Sequence, residues 1–183
     1  MSERVSPHEQ WQEMVREYPE LHAFLDGLRP GQVLSGTVAA VERFGVFVAL
    51  DDGPPHPFFP GVGFVTIPEV SWHHDAVVEV GQRVRGRFFI YDTWHMEARL
   101  SLKALQPDPL PVFADAVTSG QELPGVVTEV VPIGVFVRVG DGIEGLLHEK
   151  DLPSPPPQVG DQVAVVVHVD RERRRVTLTS GGG

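Results

Sequence analysis

Gly31-Gln-Val-Leu-Ser-Gly-Thr-Val-Ala-Ala-Val-Glu-Arg-Phe-Gly-Val-Phe-Val48 is repeated in outline by Gly120-Gln-Glu-Leu-Pro-Gly-Val-Val-Thr-Glu-Val-Val-Pro-Ile-Gly-Val-Phe-Val137. Gly31, Gln32, Leu34, Gly36, Val38, Val41, Gly45, Val46, Phe47 and Val48 all recur in place. The correspondence resumes after a longer loop in the first copy. Gly63-Phe64-Val65-Thr66 matches Gly145-Leu146-Leu147-His148, Val80-Gly81-Gln82 matches Val159-Gly160-Asp161, and Leu100-Ser101 matches Leu178-Thr179. Two copies are too few for a solenoid. Each copy, at roughly 65–75 residues, is long enough to hold its own small core.

Short alternating runs punctuated by Gly, Pro and Asp predict strands in both copies. In Val163–Val169 the odd positions are all Val and are expected to face inward, with Gln162, Ala164, Val166 and His168 facing out. In the first copy the same alternation puts Val84, Phe88 and Ile90 on one face and Arg83, Arg85, Arg87, Phe89 and Tyr91 on the other. Five strands in so small a unit predict an all-β chain of two tandem five-stranded barrels of the oligonucleotide/oligosaccharide-binding (OB) type. The first 29 residues read instead as helical. Ser6-Pro7-His8-Glu9 is a capping box with Pro at the first helical position. Trp11, Met14, Val15 and Tyr18 follow at helical spacing, and a second short helix after Pro19 bears Leu21, Phe24 and Leu25. That apolar stripe is expected to pack on the barrel that follows it. The expected division is a helical segment over 1–29, barrels over 30–105 and 119–180, a Pro-rich linker over 106–118, and a Gly tail over 181–183.

The 183 residues include 25 acidic and 15 basic side chains, 42% hydrophobic residues and no Cys. This is the composition of a folded chain. Lack of cysteine excludes disulfides, thiol nucleophiles, iron–sulfur clusters and zinc ribbons. No apolar run approaches the ~18–20 residues that span a bilayer, and Met1-Ser2-Glu3-Arg4 lacks the pattern of a secretory signal. The expected location is cytoplasmic. A formal charge of −10 argues against a strongly basic nucleic-acid coat, although the two repeats are only mildly acidic.

The ordered motifs resemble the S-one domain, the RNA-binding OB barrel named after the largest protein of the small ribosomal subunit. They are Gly-x-x-x-x-Gly-x-Val, Phe-Gly-Val-Phe-Val or Ile-Gly-Val-Phe-Val, Gly-Leu-Leu-His, Val-Gly-Gln/Asp-x-Val, and an Asp before a closing Leu-Ser or Leu-Thr. The resemblance covers about 31–105 and 119–180. It implies a face built from two aromatics, a His, an Asp and an Arg. Flat rings stack unpaired bases and cations hold the backbone. Carried onto this chain, the first copy supplies Phe44, Phe47 and Asp92, with Thr66 where the His belongs and Glu97 where the Arg belongs, Arg99 lying nearby. The second supplies Phe136, His148, Asp170 and Arg175, flanked by Arg173 and Arg174, with Ile133 replacing the first aromatic. Phe44 and Phe47, three apart, fall on opposite faces of a regular strand unless Gly45 forms a bulge or turns the backbone.

Against a stacking role, Phe47 and Phe136 have the alternative of plain core. Arg83, Arg85 and Arg87 have that of a solvated strand face, extended on the same side by Phe89 and Tyr91. Arg171 to Arg175 holds four Arg in five residues, either a solvated turn or a phosphate contact. Trp72-His73-His74-Asp75 lacks a third ligand at zinc-site spacing and reads as a polar loop. The loop from Asp51 to Pro60 carries Phe58 and Phe59, for packing or for a partner. No catalytic motif, cofactor pattern or small-molecule site appears. The leading function is therefore non-enzymatic binding of single-stranded RNA in translation or RNA metabolism, with the ribosome or RNA-processing proteins as further partners. The alternative is a module that docks on a ribosomal, polymerase or nuclease partner. The discriminating feature is where the arginines lie: beside Phe44 and Phe47 for RNA, dispersed among acids for protein.

Overall fold

The computed structural model describes residues 6–182. The Met1-Ser2-Glu3-Arg4 stretch and the last glycine of the tail lie outside them. The chain folds as two compact units, one running through Ser71 and resuming over Asp75–Pro107, the other made of Trp72–His74 and the chain from Asp108 onward. Among the described residues no helix is long and apolar enough to cross a membrane.

In the first unit, helices α1 (Pro7–Glu17) and α2 (Pro19–Gly27) precede strands β1 (Val33–Glu42), β2 (Gly45–Leu50), β3 (Gly63–Thr66), β4 (Arg83–Asp92) and β5 (Glu97–Ser101). The strands close in the order β1-β2-β3-β5-β4. All pair antiparallel except β3 with β5, which run parallel through Gly63↔Ala98 and Phe64↔Arg99. This is the five-stranded OB arrangement expected. The barrel encloses Val38, Val46, Val48, Val65, Phe88, Ala98 and Leu100, each almost inaccessible to solvent.

The capping box forms as read. Ser6 Oγ accepts from the Glu9 amide, and the Ser6 amide donates to Glu9 Oε2 at 2.8 Å. The helical stripe packs in cis, with Leu21, Leu25 and Leu28 joining the barrel core and Met14, Tyr18 and Phe24 lying against it. The simple alternation expected of β4 breaks down. A register shift between Phe88 and Ile90 inserts one residue, so Ile90 turns out to solvent at 54% exposure. Tyr91 instead packs against the core, its hydroxyl 3.3 Å from His22 Nδ1 on α2.

The second unit holds α3 (Pro109–Ala116), β6 (Gln121–Val131), β7 (Gly134–Gly140), β8 (Ile143–His148), β9 (Gln162–Asp170) and β10 (Arg175–Ser180), closed in the equivalent order. On β9, Val165 and Val167 are fully buried and His168 is exposed, following the expected alternation. Both barrels carry a register shift at the same aligned place, Val38/Ala40 in β1 and Val127/Glu129 in β6. Helix α3 lies within the Pro-rich stretch read as linker. Asp108 caps it, Pro109 starts it, and Leu110 and Ala114 are buried. It stands before β6 as α2 stands before β1.

Because Leu25 is 1% exposed at the junction of α2 and the barrel, Leu25→Ala should cost about 2–5 kcal/mol. Thermal melting followed by circular dichroism should show the midpoint drop by ~10 °C or more. A drop of only a degree or two would mean that α2 does not dock.

Candidate nucleic-acid interface

Phe44 sits in the tight turn between β1 and β2, before the strand begins. The strand alternation therefore does not govern it, and no bulge at Gly45 is needed to bring it to the side of Phe47. On β2, Val46 and Val48 point into the core, which sends Phe47 to the outer face. Its partner across the β2–β3 ladder is Phe64. Gly45 makes this possible. A Cβ there would lie 2.3 Å from Phe64 Cζ and 2.6 Å from the Val65 carbonyl oxygen, so only glycine lets ring and backbone approach so closely.

These rings form one cluster. Phe44 stacks on Phe64 with centroids 5.9 Å apart and meets Phe47 edge-on at 6.3 Å. Phe47 meets Phe64 at 5.0 Å. The long loop between β2 and β3 adds Phe59, stacked on Phe47 at 5.5 Å and 22°. His56 holds that loop. Its Nδ1 lies 3.1 and 3.0 Å from the Phe58 and Phe59 amides, which donate to it, and its Nε2 is 2.9 Å from the His95 carbonyl oxygen. Those partners demand a neutral ring protonated at Nε2. Burial holds its pKa below the ordinary histidine value. Phe47 is left 5% exposed and Phe44 63%.

Phe44, Phe47, Phe59, Phe64, Thr66, His95, Glu97 and Arg99 line a hollow of about 380 Å³. Arg99 leaves β5 with its guanidinium carbon 4.6 Å from the centre of the Phe64 ring. Its Nη2 donates to Asp92 Oδ2 at 2.5 Å and lies 3.3 Å from Glu97 Oε2. His95 Nδ1 is 2.9 Å from the same Asp92 oxygen. Burial raises the pKa of Asp92, but the hydrogen bonds from His95 and Arg99 outweigh it and hold the group at about 2. Burial pushes the Glu97 carboxyl above its usual range. Asp92, His95 and Glu97 bring ligand atoms within 4.8 Å of one another. Arg99 already supplies the positive charge at that cluster, which opposes a cation there.

The hollow thus unites Phe44, Phe47 and Arg99, with Asp92 bonded to its edge, and leaves the other first-copy candidates outside. Arg83 makes a bidentate pair with Asp51 at 2.6 Å, and Arg87 donates to the Gly31 carbonyl. Arg85 lines a separate hollow with Val77, Val78 and Leu102. Phe89 is half exposed on β4, and Tyr91 is engaged with α2. In the second unit Ile133 is exposed where Phe44 has its counterpart, and Leu146 is paired with Phe136 where Phe64 would be. His148 and Phe136 are half-buried, and His148 Nδ1 accepts from the Lys150 amide. Asp170 pairs across the ladder with Arg175 and accepts from the Arg173 amide. Arg174 is bidentate on Asp108 at 2.7 and 2.9 Å, and Arg171 is on Asp115 at 2.6 Å. Arg83, Arg171, Arg173 and Arg174 are therefore paired with acids, while Arg99 lies beside the rings.

Two ring contributors escaped the motif reading. Phe64 was visible only as the Phe of Gly63-Phe64-Val65-Thr66, where the second copy has Leu. Phe59 sits in a loop that has no counterpart in the second copy.

The family model for the S1 RNA binding domain matches residues 28–88 and 116–181. Small ribosomal subunit protein bS1 of Mycolicibacterium smegmatis is 40% identical over 169 residues, 85% of this chain and 33% of that protein. The bS1 protein of Neisseria meningitidis serogroup B is 31% identical over 173 residues, 87% and 29% of the respective chains. The chain spans about a third of the length of these curated relatives. A solved structure of an uncharacterized protein from Methanocaldococcus jannaschii covers 36% of this chain and 93% of that one, at 29% identity and a TM-score of 0.33.

With its pKa at about 2 in the folded state, Asp92 contributes stability that is full above the unfolded value near 3.9 and is lost as pH falls toward 2. Asp92→Asn should therefore be less stable than the parent by on the order of 2 kcal/mol at neutral pH. In urea titrations the gap should narrow progressively from about pH 4 to pH 2. A gap that does not change with pH would show that the ion pair is not its source.

Proposed function

The chain belongs to the S1 RNA-binding domain family, and from that premise we propose that it binds single-stranded RNA through the aromatic hollow of the first barrel, without catalysing a reaction. The observation that carries this reading is the ring cluster itself. An aromatic side chain 63% exposed at the mouth of three further rings is an unfavourable arrangement for a surface without a ligand. A nucleobase stacked on Phe44 would cover it, at ~1–3 kcal/mol per base. Arg99 lines the hollow near enough to take part, and its hold on Asp92 fixes it in place. Phe47 serves from beneath as the support of the cluster.

The relatives named as ribosomal proteins support a place in translation, in the bacterial cytoplasm, with the ribosome as a wider partner. The two barrels are proposed as separate modules, over 30–105 and 119–180. Their sites differ enough that the first does most of the binding. For the second barrel a specific observation favours docking on a protein. Its Arg171 and Arg174 are spent on Asp115 and Asp108, and an isoleucine stands where the exposed ring would be. Phe136, His148, Asp170, Arg174 and Arg175 would then serve that surface, or a weaker RNA contact. Arg83, Arg85, Arg87, Phe89 and Tyr91, away from the hollow, are proposed to contribute little.

Fluorescence anisotropy of a labelled ten-nucleotide single-stranded RNA tests this. Phe44→Ala should weaken binding about 5–100-fold, while Arg83→Ala and Arg87→Ala change it less than about twofold. With one or two phosphates engaged, affinity should fall less than about tenfold between 50 and 200 mM salt. Absence of saturable binding at the lower salt, or a Phe44→Ala protein that binds as the parent does, would defeat the reading.

A further inference from the structure

Glu97 is the group that base stacking leaves unexplained. It is 2% exposed, yet it shares the lining of the hollow with four phenylalanine rings. Its Oε2 has no hydrogen-bond donor among the described residues; Arg99 Nη2, at 3.3 Å, neutralises it without hydrogen-bond geometry. A buried carboxylate oxygen without a donor is costly, and such an atom in a native structure calls for an explanation. The aligned residue in the second copy is Arg175, so this is not a requirement of the barrel.

A ligand that brings N–H donors to this oxygen would satisfy it. The nucleobases differ in what their pairing edges offer a carboxylate. Guanine presents two adjacent donors, N1–H and the N2 amino group, beside the O6 acceptor. Adenine and cytosine each present one amino group next to a ring nitrogen whose lone pair would face the carboxylate. Uracil presents one N–H between two carbonyl oxygens. Arg99 hydrogen-bonds Asp92 through Nη2, and a guanidinium carries five N–H donors, so it has further donors for an acceptor beside the base's own donors.

We propose that the aromatic hollow of the first barrel is a guanine-selective base pocket, in which Glu97 accepts from N1–H and the N2 amino group while Arg99 donates to O6. This rests on the RNA reading above and adds to it the identity of the base. Phe44 stacks any base, whereas Glu97 discriminates among them. A volume of about 380 Å³ is within the range of small-molecule pockets.

The test uses the full chain and labelled decauridine whose fifth residue is left as U or replaced by G, inosine, C or A. Inosine is guanosine without the N2 amino group, so it removes one of the two donors and nothing else. The G-bearing strand should bind at least about fivefold tighter than the U, C or A strands, with inosine between them. Glu97→Gln should bring all five strands within about twofold of one another. Equal binding of all five strands by the parent protein would overturn guanine selectivity and leave the stacking reading intact. A guanine preference that survives in Glu97→Gln would overturn the role of Glu97. Failure of every strand to bind would remove the RNA reading, and this proposal with it. The comparison of G with inosine needs no variant, so equal binding of those two strands overturns the paired-donor contact even where Glu97→Gln does not fold.

Discussion

Two rungs of parallel pairing, Gly63↔Ala98 and Phe64↔Arg99, close the first barrel, and the site depends on them. Without this contact β3 and β5 would be open edges, each with a row of unpaired backbone groups. The same contact makes Phe64 and Arg99 neighbours on the outer surface, which places the guanidinium against the ring. From there the chain of consequence is short. Arg99 draws in Asp92 from the end of β4, and Asp92 holds the turn through the Trp94 and His95 amides. The pairing that closes the barrel is the one that sets the cation beside the ring.

The sequence carried the fold because the repeat supplied two independent readings of the same pattern. The five strands per copy, the inward valines and the capping box were all legible in it. Ile90 and Tyr91 depart from the alternation because an inserted residue in a strand leaves no mark on composition, and alternation has a period of two only until a bulge resets it. Helix α3 was hidden by its prolines. Asp108 followed by Pro109 is a helix start as good as Ser6-Pro7, yet a run of three prolines in a short stretch looked first like a spacer. Phe44 and Phe47 were legible as a pair through the family resemblance, since residues three apart fall on opposite faces of a regular strand. Phe59 was not, because nothing local to a loop says which strand it will fold back over.

The two barrels share the frame and differ in what stands on it. Gly45 and Gly134 both keep β2 and β7 close to the following strand, where an added Cβ would meet atoms 2.3 and 2.1 Å away. The first barrel fills the surface beside that close approach with Phe44, Phe59 and Phe64. The second has Ile133, a short turn at Asp141-Gly142 and Leu146. A shared glycine is therefore a property of the frame, and the rings are a property of one copy.

Charge decides what kind of site the first barrel can be. Asp92 and Glu97 set two acidic groups against the single cation of Arg99, in a chain whose formal charge is already −10. Asp92, bonded by His95 and Arg99, stays ionised across the neutral range. Such a site exerts little long-range pull on a phosphate backbone, whose attraction scales with the cations offered to it. What it does offer is short-range and directional: flat apolar faces, a carboxylate that can only accept while ionised, and a guanidinium that can only donate. Those groups address the face and the edge of a base. The acidic balance, which on composition alone argued against nucleic acid, is thus compatible with an RNA site that reads bases and leaves the backbone largely to solvent.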